Sequence, residues 1–148
     1  MHLVDGGVTK VKELSEKNKY YIPQHRYYEL LHFCRQYTDY QLEKEEILAT
    51  CVRPILNFHK DLDRGYGHYE THSTTENWAI KLANIDDKIQ LIEQTAVDAD
   101  KELSGYILMA VTSGLSYDIM NARYHVPCSR NTFYDRYRKF FWLLDQRR

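Results

Sequence analysis

The chain has 148 residues, of which 43% are hydrophobic and 28% charged, the composition of a globular protein with one or two small domains. Twenty basic and 21 acidic residues leave a net charge of −1, which excludes a uniformly basic nucleic-acid coat and an acidic DNA mimic. The three cysteines form no CxxC pair, so neither a disulfide framework nor a closed zinc site is predicted, and a reducing cytoplasm is expected. With no membrane-length apolar run and no apolar signal core in Met1–Lys12, we expect a soluble, cytoplasmic protein without membrane contact.

Residues 1–58 are predicted to form a tyrosine-rich helical unit. From Pro23, apolar residues recur at three- and four-residue steps, which indicates a first helix. A second helix is expected from Tyr40 to about residue 52, with Pro54 as its terminator. Its expected buried positions are Leu42, Ile47, Leu48 and Cys51. The six tyrosines within residues 20–40 fit either a half-wet core or a surface for RNA polymerase or another protein.

Residues 59–73 are predicted to be a flexible linker, because the stretch Asn57–Thr75 is rich in His, Asp, Gly and Thr and has little apolar material after Leu62. Their potential metal ligands are His59, Asp61, Asp63, His68 and His72. Gly65 and Gly67 oppose the helix that would pair the last two histidines, and no cysteine joins them. No metal and no cofactor are therefore predicted.

The C-terminal unit, residues 74–148, is expected to open with a long amphipathic helix capped by Thr74 or Thr75. Its apolar residues, here called the heptad seam, are Trp78, Leu82, Ile85, Ile89, Ile92 and Ala96. The repeat is too short for a persuasive coiled coil, which favours a core helix. A homodimer is nevertheless expected, with the first five residues of the seam as its candidate interface. A break near Asp98–Asp100 then precedes a helix from about Lys101 to Thr112, which ends near Gly114.

The last third of the chain predicts two helices joined by a tight turn. Ser116 and Ser129 are suited to cap them. The apolar residues expected to lock the helices together are Ile119, Ala122, Val126 and Phe133. Segment Arg123–Arg148 carries seven basic and two acidic residues, a balance of +5 against −6 elsewhere, as expected of a DNA-binding surface. No strand-forming run is present, so the predicted fold class is all-α, with a C-terminal helix-turn-helix.

At these positions the chain resembles a known family. Gly-Leu-Ser-Tyr at 114–117 and Ser-Arg-Asn-Thr-Phe at 129–133 resemble region 4 of sigma-70 factors. Residues 101–148 are also similar to small regulators encoded by phages and prophages of Gram-positive bacteria. The resemblance implies sequence-specific binding of double-stranded DNA and regulation of transcription in the cytoplasm of a bacterial host. The segment between the two motifs is slightly longer than usual and contains Pro127, which predicts a shorter second helix or a wider turn.

The resemblance also implies roles for individual residues, because the second helix would enter the major groove. The expected base-reading residues are Arg130, Asn131, Tyr134 and Arg138. The expected phosphate contacts are Ser129, Thr132, Arg123, Arg136 and Lys139. The expected buried side of this helix is Phe133, Tyr137, Phe140 and Leu144.

Other functions remain open at this stage. The chain has no P-loop, nucleophile elbow or zinc-protease motif, so no enzyme is predicted. A small terminase subunit would combine a helix-turn-helix with an oligomerising helix. An inhibitor of a host or defence protein would instead act through the aromatic surface, with the basic helix as scaffold. Its arginines would then be solvated or paired with Asp86, Asp87 and Glu93.

Cys128 stands just before a helix, which is expected to lower its pKa, but no partner base is identified, so a structural thiol is predicted.

Overall fold

The computed structural model describes residues 15–52 and 71–148, and within these ranges all regular structure is helical, which confirms the all-α class. The elements in chain order are α1 (Gln24–Arg35), α2 (Tyr37–Ile47), a π-helical segment (Leu48–Val52), α3 (Thr71–Ala99), α4 (Ser104–Ser113), α5 (Tyr117–Tyr124) and α6 (Arg130–Arg147). None of the helices described combines the length and apolar character needed to cross a bilayer.

The described residues divide into two compact units that differ from the predicted division. The first unit comprises 15–37 and 91–148, and the second comprises 38–52 and 71–90. Helix α1 therefore belongs with the C-terminal helices, because its apolar side packs against α4 and α6. The predicted boundary at residue 58 and most of the linker lie outside the described residues. The predicted N-cap at Thr74 or Thr75 is wrong, since α3 already begins at Thr71.

Helices α1, α4 and α6 enclose the core of the first unit. Its buried side chains are Leu30, Leu31, Phe33 and Cys34 from α1, Ile107, Ala110 and Val111 from α4, and Phe133, Tyr137, Phe140, Phe141 and Leu144 from α6. The predicted buried side of α6 is confirmed, with Phe141 added to it. Burial in this core raises the pKa of the Cys34 thiol to about 12, so the thiol stays protonated and unreactive at neutral pH.

Several of the N-terminal tyrosines complete this core. The Tyr27 ring meets Phe141 edge-on with centroids 4.8 Å apart, and its hydroxyl lies 2.7 Å from that of Tyr137. Tyr37 is buried and donates a hydrogen bond of 2.5 Å to Glu93. These tyrosines agree with the prediction of a partly solvated core, in which the ring packs against apolar side chains and the hydroxyl keeps a polar partner.

The turn after α4 depends on glycine. Gly114 has φ +73° and its N–H donates to the Ala110 carbonyl, which closes α4 as predicted. The guanidinium of Arg35 lies directly against the Gly114 Cα, where a Cβ would stand. The left-handed backbone thus favours glycine at this position, and any larger residue would also have to displace the Arg35 guanidinium.

In the second unit, two ion pairs join α2 to the first part of α3. Lys44 pairs with Asp86 at 2.6 Å and Glu43 with Lys81 at 2.9 Å. Ile47 is buried and Leu48 half-buried, but Leu42 is 64% exposed, which corrects its predicted burial. Leu42 and Ile47 are five residues apart, which is about 140° around an α-helix, so the side of α2 that buries Ile47 leaves Leu42 in solvent. The side chain of Cys51 lies outside the described residues.

The heptad seam is packed within a single chain. Ile85, Ile89 and Ile92 are buried, whereas Trp78 and Leu82 are half-buried. This burial supports the core-helix interpretation of the seam, because a free interface would leave these isoleucines exposed in one chain.

A substitution in the seam separates the two interpretations. Ile85→Glu places a charge in an apolar environment and should lower the free energy of unfolding by several kcal/mol. Ile80→Glu is the matched control on the same helix, since Ile80 is 55% exposed, and it should change stability by less than about 0.5 kcal/mol. Urea unfolding followed by circular dichroism measures both. A stable monomer formed by Ile85→Glu from a wild-type dimer would restore the interface interpretation.

Two glycines of the α4 region should respond in opposite directions to alanine. Gly114→Ala should destabilise by at least about 1–2 kcal/mol, because an L side chain strains at positive φ and its Cβ meets Arg35. Gly105→Ala should be neutral or stabilising by up to about 1 kcal/mol, because Gly105 lies in α4 with nothing within 4 Å of its Cβ position. The urea midpoints of the two variants give the comparison, and equal effects would contradict this account of Gly114.

The buried tyrosines predict loss of stability at alkaline pH. Burial raises the pKa of Tyr27 above the ordinary value of 10.0, and it raises the pKa of Tyr137 well above that value. Since the folded-state pKa values exceed the unfolded ones, this contribution is complete below pH 10 and falls as pH rises through the folded values. Unfolding free energies measured from pH 8 to 12 should therefore decline, less steeply in Tyr137→Phe. Tyr124→Phe is the control, because Tyr124 is 51% exposed, and its decline should match that of the wild type.

Candidate nucleic-acid interface

Helix α5 begins and ends close to where the sequence places it. Ser116 is its N-cap, and the Ser116 Oγ accepts a hydrogen bond from the Ile119 N–H at 3.4 Å. His125 ends the helix in a left-handed conformation with φ 53°. Residues 125–129 then connect α5 to α6, and Pro127 lies within this connection.

Helix α6 begins with a second serine cap. The Ser129 Oγ accepts from the Thr132 N–H at 3.3 Å, and the two hydroxyls lie 2.9 Å apart. The predicted caps at Ser116 and Ser129 are therefore both confirmed. Each satisfies one of the N–H groups that a helix start leaves without a partner.

Tyr117 joins α5 to α6, and we call these two helices with their connection the α5–α6 pair. The Tyr117 hydroxyl donates to the Cys128 carbonyl at 2.6 Å, and its backbone N–H donates to the Tyr134 hydroxyl at 3.3 Å. Its ring lies 5.8 Å from the Phe133 ring. Two hydrogen bonds from Tyr117, one from its hydroxyl and one from its backbone N–H, thus fix the angle between the two helices.

The apolar contacts of this pair were only half predicted. Val126 and Phe133 are buried as expected, but Ile119 is exposed, as is Ala122. Met120 is the fully buried residue of α5 instead. Helix α5 spans about two turns, too few for the period of its apolar residues to identify the inner side.

The expected base-reading residues divide into two groups. Arg130 and Asn131 are exposed in the first turn of α6. Tyr134 and Arg138 are half-buried, and the Tyr134 hydroxyl already holds the Tyr117 N–H. The first two side chains are therefore the ones placed to reach a ligand without rearrangement.

The expected phosphate-contacting residues also differ in their freedom. Ser129 and Thr132 are exposed but serve as each other's partners in the cap. Arg136 lies between two carboxylates, 3.3 Å from Asp100 and 3.7 Å from Asp135. The remaining two, Arg123 and Lys139, form no ion pair within the described part of the chain.

The positive charge of the C-terminal segment is partly neutralised by carboxylates that the sequence did not single out. Arg147 pairs with Asp98 at 2.6 Å, which lowers the Asp98 pKa, and Arg26 of α1 binds Asp145 at 2.7 Å. Asp86 and Glu93, two of the expected partners, instead contact Lys44 and Tyr37. Cations without an ion pair among residues 15–52 and 71–148 include Arg123, Arg138 and Lys139.

Both cysteines with described side chains, Cys34 and Cys128, have raised pKa values. Burial, and then the charge of Asp100, raises the pKa of Cys128, which corrects the lowering expected from its place before α6. The described side chains include no cluster of three or more His, Cys, Asp and Glu that could hold a metal ion. The histidines and aspartates of the predicted linker lie outside the described side chains.

Comparison with known proteins adds no relative from which a function could be carried over. No protein-family model, no curated protein and no solved structure matches the chain. A function for this chain is therefore inferred from the α5–α6 pair and the side chains that it exposes.

Proposed function

We propose that this protein binds double-stranded DNA through the α5–α6 pair and regulates transcription in the manner of a phage-type helix-turn-helix regulator. The observation that carries the proposal is the first turn of α6. There the exposed Arg130 and Asn131 stand side by side at a capped helix start, while the opposite side of the helix is buried. Arginine and asparagine are the side chains best suited to bidentate contacts with guanine and adenine.

The surrounding cations support the same proposal. Arg123 is exposed in the last turn of α5, and Arg138 and Lys139 are half-buried on α6. Because these three have no carboxylate partner in the described residues, they can bind phosphates and release counterions without breaking an ion pair. Arg136 would first have to leave Asp100 and Asp135, so we expect it to contribute less than the sequence suggested.

Point substitutions test the proposal best, because a chain truncated at Ser113 would lose α6 and with it much of the core of the first unit. After selection of a duplex from a random pool, affinities are measured for that duplex and for a scrambled one. Arg130→Ala or Asn131→Ala should cost about 1–3 kcal/mol on the selected duplex and little on the scrambled one, because each removes a base contact.

The matched test for phosphate contact is Lys139→Ala. It should weaken binding to both duplexes equally and reduce the slope of log affinity against log salt by about one unit. Lys101→Ala removes an exposed cation outside α5 and α6 and should leave both affinities nearly unchanged. Equal binding of the two duplexes by the wild type would contradict sequence-specific recognition.

Oligomeric state and DNA binding together distinguish the alternatives. A dimer by light scattering agrees with a regulator that binds paired half-sites, whereas a closed ring would indicate a small terminase subunit. A protein that shows no salt-dependent DNA binding would indicate the inhibitor alternative. The exposed Ile119 and Tyr124 of α5 would then be the first apolar contacts to test.

A further inference from the structure

The side chain of Arg130 is held to the first turn of α5 by two routes. Its Nη1 lies 3.4 Å from Oδ2 of Asp118, and its Cζ lies 5.9 Å from the centre of the Tyr134 ring. The Tyr134 hydroxyl in turn accepts from the Tyr117 N–H at 3.3 Å. Both routes end on neighbouring residues of α5, although the side chains of Arg130 and Asp118 are 55% and 67% exposed.

This attachment leaves most of the guanidinium available. An arginine has five N–H donors arranged on three nitrogens, and Asp118 accepts from Nη1. A bidentate contact with guanine requires two parallel donors for O6 and N7, which the edge formed by Nε and Nη2 supplies. Asp118 can therefore remain in place while that edge donates to a base.

The other ion pairs of α6 do not have this property. Arg147 uses one nitrogen for Asp98 at 2.6 Å and another for the Thr95 hydroxyl at 3.1 Å. Arg136 lies near two carboxylates. The guanidinium groups of Arg147 and Arg136 each contact two other residues through two nitrogens. The Arg130 guanidinium contacts Asp118 through Nη1 alone, and its Nε and Nη2 have no hydrogen-bond partner among the described residues.

We propose that Asp118 is a positioning residue that directs Arg130 toward a guanine edge, so that the recognised duplex carries guanine at the contacted position. This inference rests on the DNA-binding function proposed above. An exposed arginine without such a partner samples many rotamers and reaches phosphates as readily as bases. A carboxylate in the first turn of α5 is also favoured by the helix dipole, which helps to keep the anchor in position.

The test compares Asp118→Ala and Asp118→Asn in the full-length protein, on the selected duplex and a scrambled one. Asp118→Ala should lower affinity for the selected duplex by about threefold to tenfold, part of the value of a bidentate contact, and leave affinity for the scrambled duplex unchanged or higher. Asp118→Asn should fall between, because its amide oxygen still accepts from Nη1. Asp135→Asn is the control, since it removes a carboxylate of α6 that contacts Arg136 instead of Arg130, and discrimination should persist.

A double-mutant cycle shows whether Asp118 acts through Arg130. In the Arg130→Ala background, Asp118→Ala should cause no further loss on the selected duplex, because the side chain that it positions is absent. Additive losses, or equal losses on both duplexes with a lowered unfolding temperature, would overturn the positioning role. Retained discrimination in Asp118→Ala would overturn it as well. A wild-type protein that does not distinguish the duplexes would instead contradict the proposed function itself.

Discussion

The burial of one side of α6 is the constraint on which the rest of the first unit depends. Phe133, Phe140 and Leu144 are completely buried along it, and their hydrophobic contribution is of the order of 2 kcal/mol each. Because these side chains must face α1 and α4, the rotation of α6 about its axis is fixed. Arg130 and Asn131 are thereby turned outward, and the proposed DNA-binding surface is a consequence of the core.

The core also explains why a chain of ordinary charge needs so many tyrosines. Tyrosine buries an aromatic ring and still places a hydroxyl where the ring edge meets a polar group, which phenylalanine cannot do. Tyr27, Tyr37 and Tyr137 bury their rings and keep hydroxyl partners in each other or in Glu93. Aromatic rings in edge contact add about 0.5–1.5 kcal/mol per pair beyond the area they bury. These three tyrosines thus contribute to packing.

Some basic residues of the C-terminal segment join helices through ion pairs, and others are left available for a ligand. The net charge of the segment does not distinguish the two groups. Arg147 and Arg26 form short pairs with Asp98 and Asp145 that join helices distant in sequence. Arg123, Arg138 and Lys139 are left without such partners in the described residues, and Arg130 has a single contact with Asp118. The net positive charge predicts an anionic ligand, but only the pairing indicates which residues are free to bind it.

The sequence alone determined the features that are local in the chain. The serine caps at 116 and 129, the glycine end of α4 and the helical class follow from interactions over a few residues, and all are observed. Tertiary structure alone decided that α1 packs with α4 and α6, that Leu42 is exposed and that Met120 replaces Ile119 inside. It also brought Asp118 to Arg130 across a turn. The physical reason is that burial and ion pairing depend on which helix faces lie together, and a short helix pattern does not specify its neighbour.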